Sequence, residues 1–495
     1  MKPVYIVSWL FALAISFVSC DDWLDKTPKD RLYPDVYFKT EDELRLFTNQ
    51  FYNNLVPSAV DIYSESSDLI VKSDLMLEMS GQRIIPDEGN GWNFTALRDI
   101  NFYLQYSHNC TEVNARNRYD GVARFFRAYF YFEKVKRYGD IPWYDKALDS
   151  DDPELYKARD SREFVMQKML EDLDFAIANL PKTKNAYVLT RWTALALKSR
   201  VCLFEGTFRK YHGLEDCEKY LNACVSASET FMNESGYTLY KSGSTPYRDL
   251  FASINLQADE VIFGRDYEAS LSVLHNVQNY ENSTTMGRPG MNKKIVNSYL
   301  MADGSRFTDK AGYETMTFDQ ECQNRDPRLA QTIRTPGYTR IGSTKKEAPN
   351  LAYTMTGYHL IKYSMTANYD EYNKSCNDIP LFRTAEVYLN FAEAKAELGT
   401  LKQADINKSI KLLRDRVGMT NLDMELANSK PDPYLMSAAT GYPNVKGANQ
   451  GVILEIRRER TIELAMEGFR YYDIMRWKEA VSYTHLRAHE TAANL

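Results

Sequence analysis

The sequence predicts a mainly α-helical protein, in which tetratricopeptide-like helix pairs stack into a solenoid scaffold and long irregular loops interrupt the stack. Three observations predict this fold class. Apolar residues recur at intervals of three and four over most of the chain. The stretch 384–418 has the size of one tetratricopeptide unit, about 34 residues. Two intervals, 65–95 and 240–375, lack a helical period, so we expect loops and a few short strands there.

Composition and charge exclude several classes of protein. The 495 residues include 61 Lys or Arg and 67 Asp or Glu, which gives a formal net charge of -6. This balance does not favour a nucleic-acid-binding protein, which normally shows a basic patch. Hydrophobic residues make up 44% and the mean hydropathy is -0.48. The chain can therefore bury a large core, but it is too polar for a protein with many membrane spans.

Residues 1–19 have the pattern of a lipoprotein signal peptide. Lys2 precedes an apolar run, Val4–Val18, which is too short for a membrane span of about 20 residues. The run ends in Phe17–Cys20, which resembles a bacterial lipobox, where cleavage leaves Cys20 as an acylated N-terminal residue. An ordinary signal peptide followed by a chance cysteine is the alternative. The acidic residues just after Cys20 resemble the signal that sends Bacteroidetes lipoproteins to the outer face of the outer membrane.

The other end of the chain departs from the helical pattern. Residues 481–495 hold two of the six histidines and resemble translated sequencing-adapter sequence. We therefore expect a non-native tail at 481–495 and a missing natural C-terminus. Between the two ends we expect a single α-helical domain, 20–480, with a loop-rich insert at about 240–375.

The clearest single element is a long, largely buried helix over 121–138. It ends at Gly139, with Pro142 beyond. Arg124, Arg127 and Lys134 share a second face. Its broad apolar face is formed by Val122, Phe125, Phe126, Tyr129, Phe130 and Phe132.

A helix pair is predicted late in the chain. Thr384 can cap the first helix, which ends at Gly399, and the second ends at Gly418. Small residues at 392, 394 and 396 would let the two helices approach closely. The apolar stripes are Val387, Phe391, Ala394 and Leu398 in the first helix, and Ile406, Ile410, Leu413 and Val417 in the second.

No metal or cofactor site is predicted. The seven cysteines include no CxxC pair and no Cys/His spacing suited to zinc. Cys217 and Cys224 would lie about 10.5 Å apart along a helix, which is beyond disulfide range. We expect both thiols to face the core.

Motifs for catalysis are nearly absent, so we expect no enzymatic activity. The stretch 337–344 has the glycine spacing of a phosphate loop, but Ser343 stands where the phosphate-binding lysine belongs. Paired carboxylates could serve a glycosidase, and both Glu463/Glu467 and Glu393/Glu397 are spaced one helical turn apart. However, Arg457, Arg458 and Arg460 interleave with the glutamates of their segment at pairing distances, which favours a solvated or salt-bridged helix face.

Several stretches, in order along residues 20–480, together resemble the SusD/RagB family of outer-membrane glycan-binding lipoproteins. These stretches are Cys20–Asp25, Tyr37–Leu44, Arg127–Phe132 with Tyr138–Pro142, Asn324–Leu329, Arg383–Leu389 with Ala392–Ala394, Arg458–Arg460, and Glu467–Asp473 with Arg476 and Trp477. The resemblance implies an α-helical fold with tetratricopeptide-like pairs and a lipid tether on the outer membrane, exposed at the cell surface. It also implies capture of oligosaccharides for a SusC-like TonB-dependent transporter.

The proposed ligand can be bound without an acid, a base or a metal. Sugar rings stack their C–H faces on aromatic side chains, while their hydroxyl groups need amides and guanidinium groups nearby. Arg83, Trp92 and Asn93, in the loop 80–93, offer this mixture, although Trp92 also fits a structural role at the start of a helix. Tyr280, with Asn279, Asn282 and Arg288 nearby, is the second candidate.

Two other functions remain open from the sequence alone. A surface glycoside hydrolase would need a pair of carboxylates facing each other across a cleft. A protein-binding helical-repeat adaptor would use the concave surface of the solenoid.

Overall fold

The computed structural model describes residues 37–64, 67–74, 77, 84 and 91–479. The predicted signal peptide, Cys20, Arg83 and the tail at 481–495 lie outside the described residues.

The N-terminal helices are α1 (Glu41–Leu55), α2 (Ala59–Tyr63), α3 (Thr95–Tyr106), α4 (Val113–Tyr138), α5 (Arg162–Asn179), α6 (Arg191–His212) and α7 (Cys217–Glu234). The insert contains α8 (Pro246–Asp249), α9 (Val277–Asn282), α10 (Lys293–Ser298), α11 (Phe318–Glu321) and α12 (Pro327–Thr332). The C-terminal helices are α13 (Thr384–Glu397), α14 (Gln403–Asn407), α15 (Ile410–Arg416), α16 (Met424–Ser429), α17 (Pro433–Met436), α18 (Gln450–Glu463) and α19 (Arg470–Arg476).

The longer helices pack as a series of neighbours, which confirms the predicted helical fold class. Helix α4 contacts α1, α3 and α5; α5 contacts α6; α6 contacts α7; α7 contacts α13; and α13 contacts α18. Because α4 has partners on several sides, its aromatic residues are buried almost all round. Even its predicted charged face is partly internal, since Arg127 is buried and its Nε donates to Asp172 Oδ2 at 2.7 Å.

Strands are few and short in the described chain. Strands β1 (Ile70–Val71) and β3 (Gly290–Met291) form one antiparallel pair, with Ile70 opposite Met291. Strands β2 (Val261–Arg265) and β4 (Ile379–Arg383) form the second, with Val261 opposite Arg383. The second pair brings the two ends of the loop-rich insert together, because β2 enters the insert and β4 leads directly into α13.

The predicted C-terminal helix pair is present, but two details were wrong. Arg383, not Thr384, is the N-cap of α13, and the Thr384 hydroxyl donates to the backbone oxygen of Glu260 at 3.0 Å because β4 runs straight into the helix. The second helix is broken into α14 and α15 at Ser409, whose backbone leaves the helical region at φ -135° and ψ -87°. The Ser409 hydroxyl donates back to Asp405 O at 2.7 Å, which turns the chain locally.

Arginines and glutamates of α18 form a buried network rather than an exposed ladder. Within the described part of α18, the only ion pair internal to the helix joins Arg458 to Glu455, at 2.9 Å. The other charged groups reach across to different elements: Glu463 lies 2.7 Å from Arg383 and 2.6 Å from Arg416. Of the two alternatives predicted for this face, salt-bridged is correct and solvated is not, because α18 is enclosed by other parts of the chain and its charges are paired inside the protein.

The cysteine prediction was half correct. Cys224 is fully buried, as expected, whereas Cys217 is only half-buried because it lies at the first position of α7. Both are free thiols, as are the other four cysteines in the described ranges.

Candidate functional site

Trp92 lies at the mouth of a groove formed where α4 ends and α3 begins. The chain enters this corner through Gly91, whose φ of +81° favours glycine. A side chain at position 91 would also meet Arg137 Nη1 at 3.0 Å. Asn93 then forms a turn, because its Oδ1 accepts a hydrogen bond from the Thr95 amide at 2.8 Å. The turn fixes the position of Trp92 just ahead of α3.

The Trp92 side chain is partly packed and partly open. Its ring makes edge contacts with Phe94 at 5.2 Å and with Tyr138 at 5.0 Å, measured between ring centroids. The Arg159 guanidinium lies 5.0 Å from the Trp92 ring centroid. Even so, 40% of Trp92 remains exposed. The two roles considered from the sequence, helix-start packing and ligand stacking, are therefore both compatible with its position.

We call the cavity beside this ring the Trp92 groove; its volume is about 530 Å³. It is lined by three aromatic residues, several aliphatic ones and a set of hydrogen-bonding groups. The aromatic residues are Trp92, Phe94 and Tyr144. The polar groups are Thr95, Arg98, Asn101, Lys146, Lys157 and Arg159. An apolar floor with a few polar groups at its rim is the usual composition of a small-molecule site.

Most cations of the groove are already held in place by neighbouring groups. Lys157 Nζ lies 2.9 Å from Asp160 and donates to Trp143 O at 2.6 Å. Lys146 lies 3.0 Å from Glu154. Arg159, by contrast, has no carboxylate within ion-pair distance in the described ranges, so its guanidinium contacts Trp92 and remains available as a donor.

The Trp92 groove has groups suited to binding. As far as the described residues show, its lining includes no carboxylate, histidine, cysteine or serine. What the groove does offer is stacking surface and fixed hydrogen-bond donors.

Sequence reasoning missed Tyr144 and Arg159. Both belong to the segment 142–159, which follows the predicted exit of α4. The signal was visible as an aperiodic stretch that mixes Trp, Tyr, Lys and Arg directly after the glycine at 139. Helical periodicity does not reveal such a stretch, because its apolar residues do not form a regular helical face.

Tyr280 does not line this groove, and its predicted role in ligand binding stays a prediction. It is only 2% exposed, because its ring packs against Tyr63 with a centroid distance of 5.1 Å. Its neighbours have structural partners as well: Asn279 Nδ2 donates to Asp370 O at 2.9 Å, and Arg288 Nε donates to Ala352 O at 2.9 Å. These contacts hold the loops of the insert against one another.

The paired glutamates considered for catalysis are also structural. Glu393 accepts from Arg476 Nη1 at 2.5 Å and from Trp477 Nε1 at 2.7 Å. Although burial opposes ionisation, Arg476 and its neighbours lower the pKa of Glu393 to about 2. Glu463 behaves in the same way, because Arg416 and Arg383 lower its pKa despite its burial. Both carboxylates are thus committed to internal ion pairs.

Among the described residues, no group of three or more His, Cys, Asp or Glu side chains is arranged to hold a metal ion. None of the helices in the same ranges combines the length and the apolar character needed to cross a membrane.

Comparison with known proteins gives concordant matches. A family model described as the SusD family matches residues 250–493, and one described as "Starch-binding associating with outer membrane" matches residues 82–191. SusD-like protein P2 of Formosa agariphila is 26% identical over 94% of this chain and 89% of its own length.

Solved structures share the fold of this chain. A SusD-like protein from Bacteroides fragilis superposes with a TM-score of 0.70, at 22% identity, over 92% of this chain and 89% of its own. A SusD-like carbohydrate binding protein from the same species also superposes with a TM-score of 0.70, at 19% identity, over 90% of this chain and 88% of its own. From the ordered sequence motifs, the helical fold and these matches together, we conclude that the chain belongs to the SusD/RagB family.

Proposed function

We propose that this protein binds oligosaccharides at the cell surface and delivers them to a SusC-like TonB-dependent transporter of the outer membrane. Family membership supports the proposal, since one matched model is described as starch-binding and outer-membrane-associated and one structural neighbour is a carbohydrate binding protein. The protein acts by binding alone, without a cofactor.

The single observation that carries the binding proposal is the composition of the Trp92 groove. A sugar ring has apolar C–H faces that stack on aromatic rings, here Trp92, Phe94 and Tyr144. Its hydroxyl groups accept from donors such as Arg159 and Lys157, which the fold holds at the rim. Asn93 does not line the groove, but its Nδ2 is proposed as another donor, because only the Oδ1 of that amide is used by the turn. Arg83, which lies outside the described residues, is proposed as a further contact.

A direct test is a glycan array followed by analysis of the sugar that binds. We expect one class of oligosaccharide to bind and to be recovered intact by chromatography after prolonged incubation. Cleavage of the sugar would instead indicate a surface glycoside hydrolase. If no glycan bound at all, a protein-binding helical adaptor would become the better hypothesis.

The membrane attachment is proposed to be covalent, through acyl chains on Cys20. Two or more chains hold a protein on a membrane stably, whereas a single chain gives only marginal attachment. Cys20→Ala should therefore release the protein from the membrane fraction, while Cys322→Ala, which alters a half-buried cysteine in the loop-rich insert, should not. A Cys20→Ala protein that stayed on salt-washed membranes would contradict the anchor.

The transporter partner can be tested by extraction from the native host in a gentle detergent. We expect a large TonB-dependent protein to co-purify in near-equal amounts. Recovery of the protein only as a free monomer, over a series of detergent strengths, would count against the partnership.

A further inference from the structure

The loop-rich insert contains a second cavity, of about 590 Å³, that the sequence analysis did not single out. We call it the insert cavity. Its charged lining consists of Arg334, Arg340, Lys345, Lys346, Glu347 and Asp370. We propose that the insert cavity binds the carboxylate or sulfate group of an acidic saccharide. The inference rests on the proposed glycan-binding function and names the chemical class of one ligand.

The lining of the insert cavity carries more positive than negative charge. Its two carboxylates are each matched by one arginine: Arg334 lies 3.1 Å from Glu347, and Arg340 pairs with Asp370. Lys345 and Lys346 are exposed, and neither has a carboxylate within ion-pair distance in the part of the chain that the structure describes. Two positive charges are therefore left over at the rim, where an anionic ligand can compensate them.

The guanidinium groups of Arg334 and Arg340 are fixed close together. Arg334 is 6% exposed and Arg340 is 5% exposed. Asn282 Oδ1 accepts from Arg334 Nη2 and from Arg340 Nη1, at 3.2 Å in both cases. Arg334 Nε is buried and has no hydrogen-bond partner among the described residues. Because each arginine already pairs with one carboxylate, this arrangement fixes the two guanidinium groups in position for a ligand but adds no further uncompensated charge.

Burial sets the ionisation of the groups around the insert cavity. It lowers the pKa of Arg334, and it lowers the pKa of His359 to about 3, so His359 adds no charge at neutral pH. Burial also raises the pKa of Glu281, whose backbone oxygen contacts His359, to about 7, so this carboxylate is only partly ionised at neutral pH.

The lining of the insert cavity suits a sugar better than a small inorganic anion. The cavity also contacts the half-buried ring of Tyr353, the amide of Asn350 and the side chain of Pro349. A volume of about 590 Å³ falls within the range of roughly 300–1,000 Å³ typical of organic ligands. Guanidinium and ammonium groups bind carboxylate and sulfate oxygens through charge-assisted hydrogen bonds, and the aromatic and amide groups would contact the rest of the sugar.

The test compares three oligosaccharides of similar length on the full chain: an oligogalacturonate, a sulfated oligosaccharide of the carrageenan type, and a neutral maltooligosaccharide. The test variant is Lys345→Gln with Lys346→Gln, since both side chains are exposed and their loss spares the fold. The matched control is Lys241→Gln with Lys310→Gln, which removes two exposed lysines that do not line the cavity.

We expect at least one acidic oligosaccharide to bind, and to bind about tenfold more weakly to the test variant, as the loss of charge-assisted contacts predicts. Its affinity should also fall as salt is added. The control variant should match the unmodified protein, and the comparison of uronate with sulfate identifies the group that is bound. Equal affinity of test and control variants for every acidic sugar would overturn the inference.

The outcome separates this inference from the proposed function. One outcome is that the neutral sugar binds with an affinity that depends on Trp92, while the affinity for the acidic sugars is the same in the test and control variants. In that case only the insert-cavity inference fails. A response to inorganic sulfate alone, with no binding of any acidic saccharide, overturns it as well. If no oligosaccharide of any kind binds, the proposed function fails with it.

Discussion

Trp92 differs from the other tryptophans of the described chain in the share of its side chain that solvent reaches. It is 40% exposed, whereas Trp143, Trp192 and Trp477 are all exposed by 5% or less. Single exposed aromatic residues are normal on a protein surface, so it is the position of Trp92 at the groove that makes it a candidate contact. Its edge contacts with Phe94 and Tyr138 hold the ring in one orientation, which reduces the entropy lost when a ligand stacks on it.

The stability of Trp92→Ala measures how much of this residue is structural. We expect a loss of roughly 1–2 kcal/mol, because the side chain is incompletely buried and aromatic pairs contribute about 0.5–1.5 kcal/mol each. Trp477→Ala serves as the control: Trp477 is fully buried, so its loss should cost about 3–5 kcal/mol. Urea unfolding of both variants gives the comparison. Equal losses would show that Trp92 is a packed helix-start residue.

At the scale of elements, α6 and α7 pack unusually closely at Gly206. A Cβ atom added there would lie 2.7 Å from Leu221 Cγ and 3.0 Å from the Leu221 backbone nitrogen. Gly121, in α4, is a different case, since a Cβ atom there would meet Leu180 at an ordinary 3.4 Å. Close helix packing therefore requires glycine at position 206, whereas position 121 has room for a larger side chain.

Substitution of these glycines by alanine should have opposite effects. Gly121→Ala is expected to stabilise the protein by up to about 1 kcal/mol, because alanine favours a helix. Gly206→Ala should destabilise it by roughly 1–3 kcal/mol, because overpacking against Leu221 outweighs the same gain. Thermal melts of the two variants decide the matter. A Gly206→Ala protein more stable than the unmodified chain would mean that α7 can move away at little cost.

The helical period predicted the end of α4 well but placed its start at residue 121 instead of Val113, and it predicted α15 poorly, for a physical reason. The stripe of α4 is continuous, and its breaker, Gly139, coincides with the end of the helix. The second stripe, from Ile406 to Val417, continues across Ser409, where a side-chain hydrogen bond turns the backbone without interrupting the apolar pattern. A periodic pattern records which residues are buried, but not whether the backbone between them is a single helix.

The binding surfaces were predictable only in part. Trp92 and Asn93 stand out because an aromatic residue and amides occur in a loop with turn residues. The lining of the insert cavity could not be predicted, because Asn282, Arg334 and Lys346 are distant in sequence and are brought together by tertiary packing. Tyr280 illustrates the converse: a tyrosine in an aperiodic segment is as easily buried under loops as exposed on them.

At the scale of the whole molecule, buried ion pairs connect segments that are far apart in the chain. Arg383, at the end of β4, lies 2.9 Å from Glu260, 2.7 Å from Glu463 and 2.6 Å from Glu467. It thus joins the start of the insert to the C-terminal helices. We infer that the insert and the helical scaffold unfold together, because separating them would leave several buried charges without partners.

Arg383→Met tests this coupling. We expect a loss of about 3–5 kcal/mol, since three buried carboxylates lose one shared partner. Arg45→Met is the matched control, because Arg45 forms an exposed pair with Asp42 at 3.0 Å that solvent screens, so its loss should leave the stability nearly unchanged. Denaturant unfolding followed by circular dichroism measures both. A loss in Arg383→Met as small as that in the control would contradict the structural role of the network.

The central claim is that this family member binds a sugar through the Trp92 groove and leaves it intact. It is tested most directly by calorimetric titration of the oligosaccharide found on the glycan array into three proteins: the unmodified chain, Trp92→Ala, and Phe164→Ala. Phe164 is equally exposed, at 40%, but does not line the groove. The account predicts that Trp92→Ala loses about 1–2 kcal/mol of binding free energy, that Phe164→Ala loses none, and that the sugar is recovered uncleaved. Unchanged affinity in Trp92→Ala, or a cleaved sugar, would contradict it.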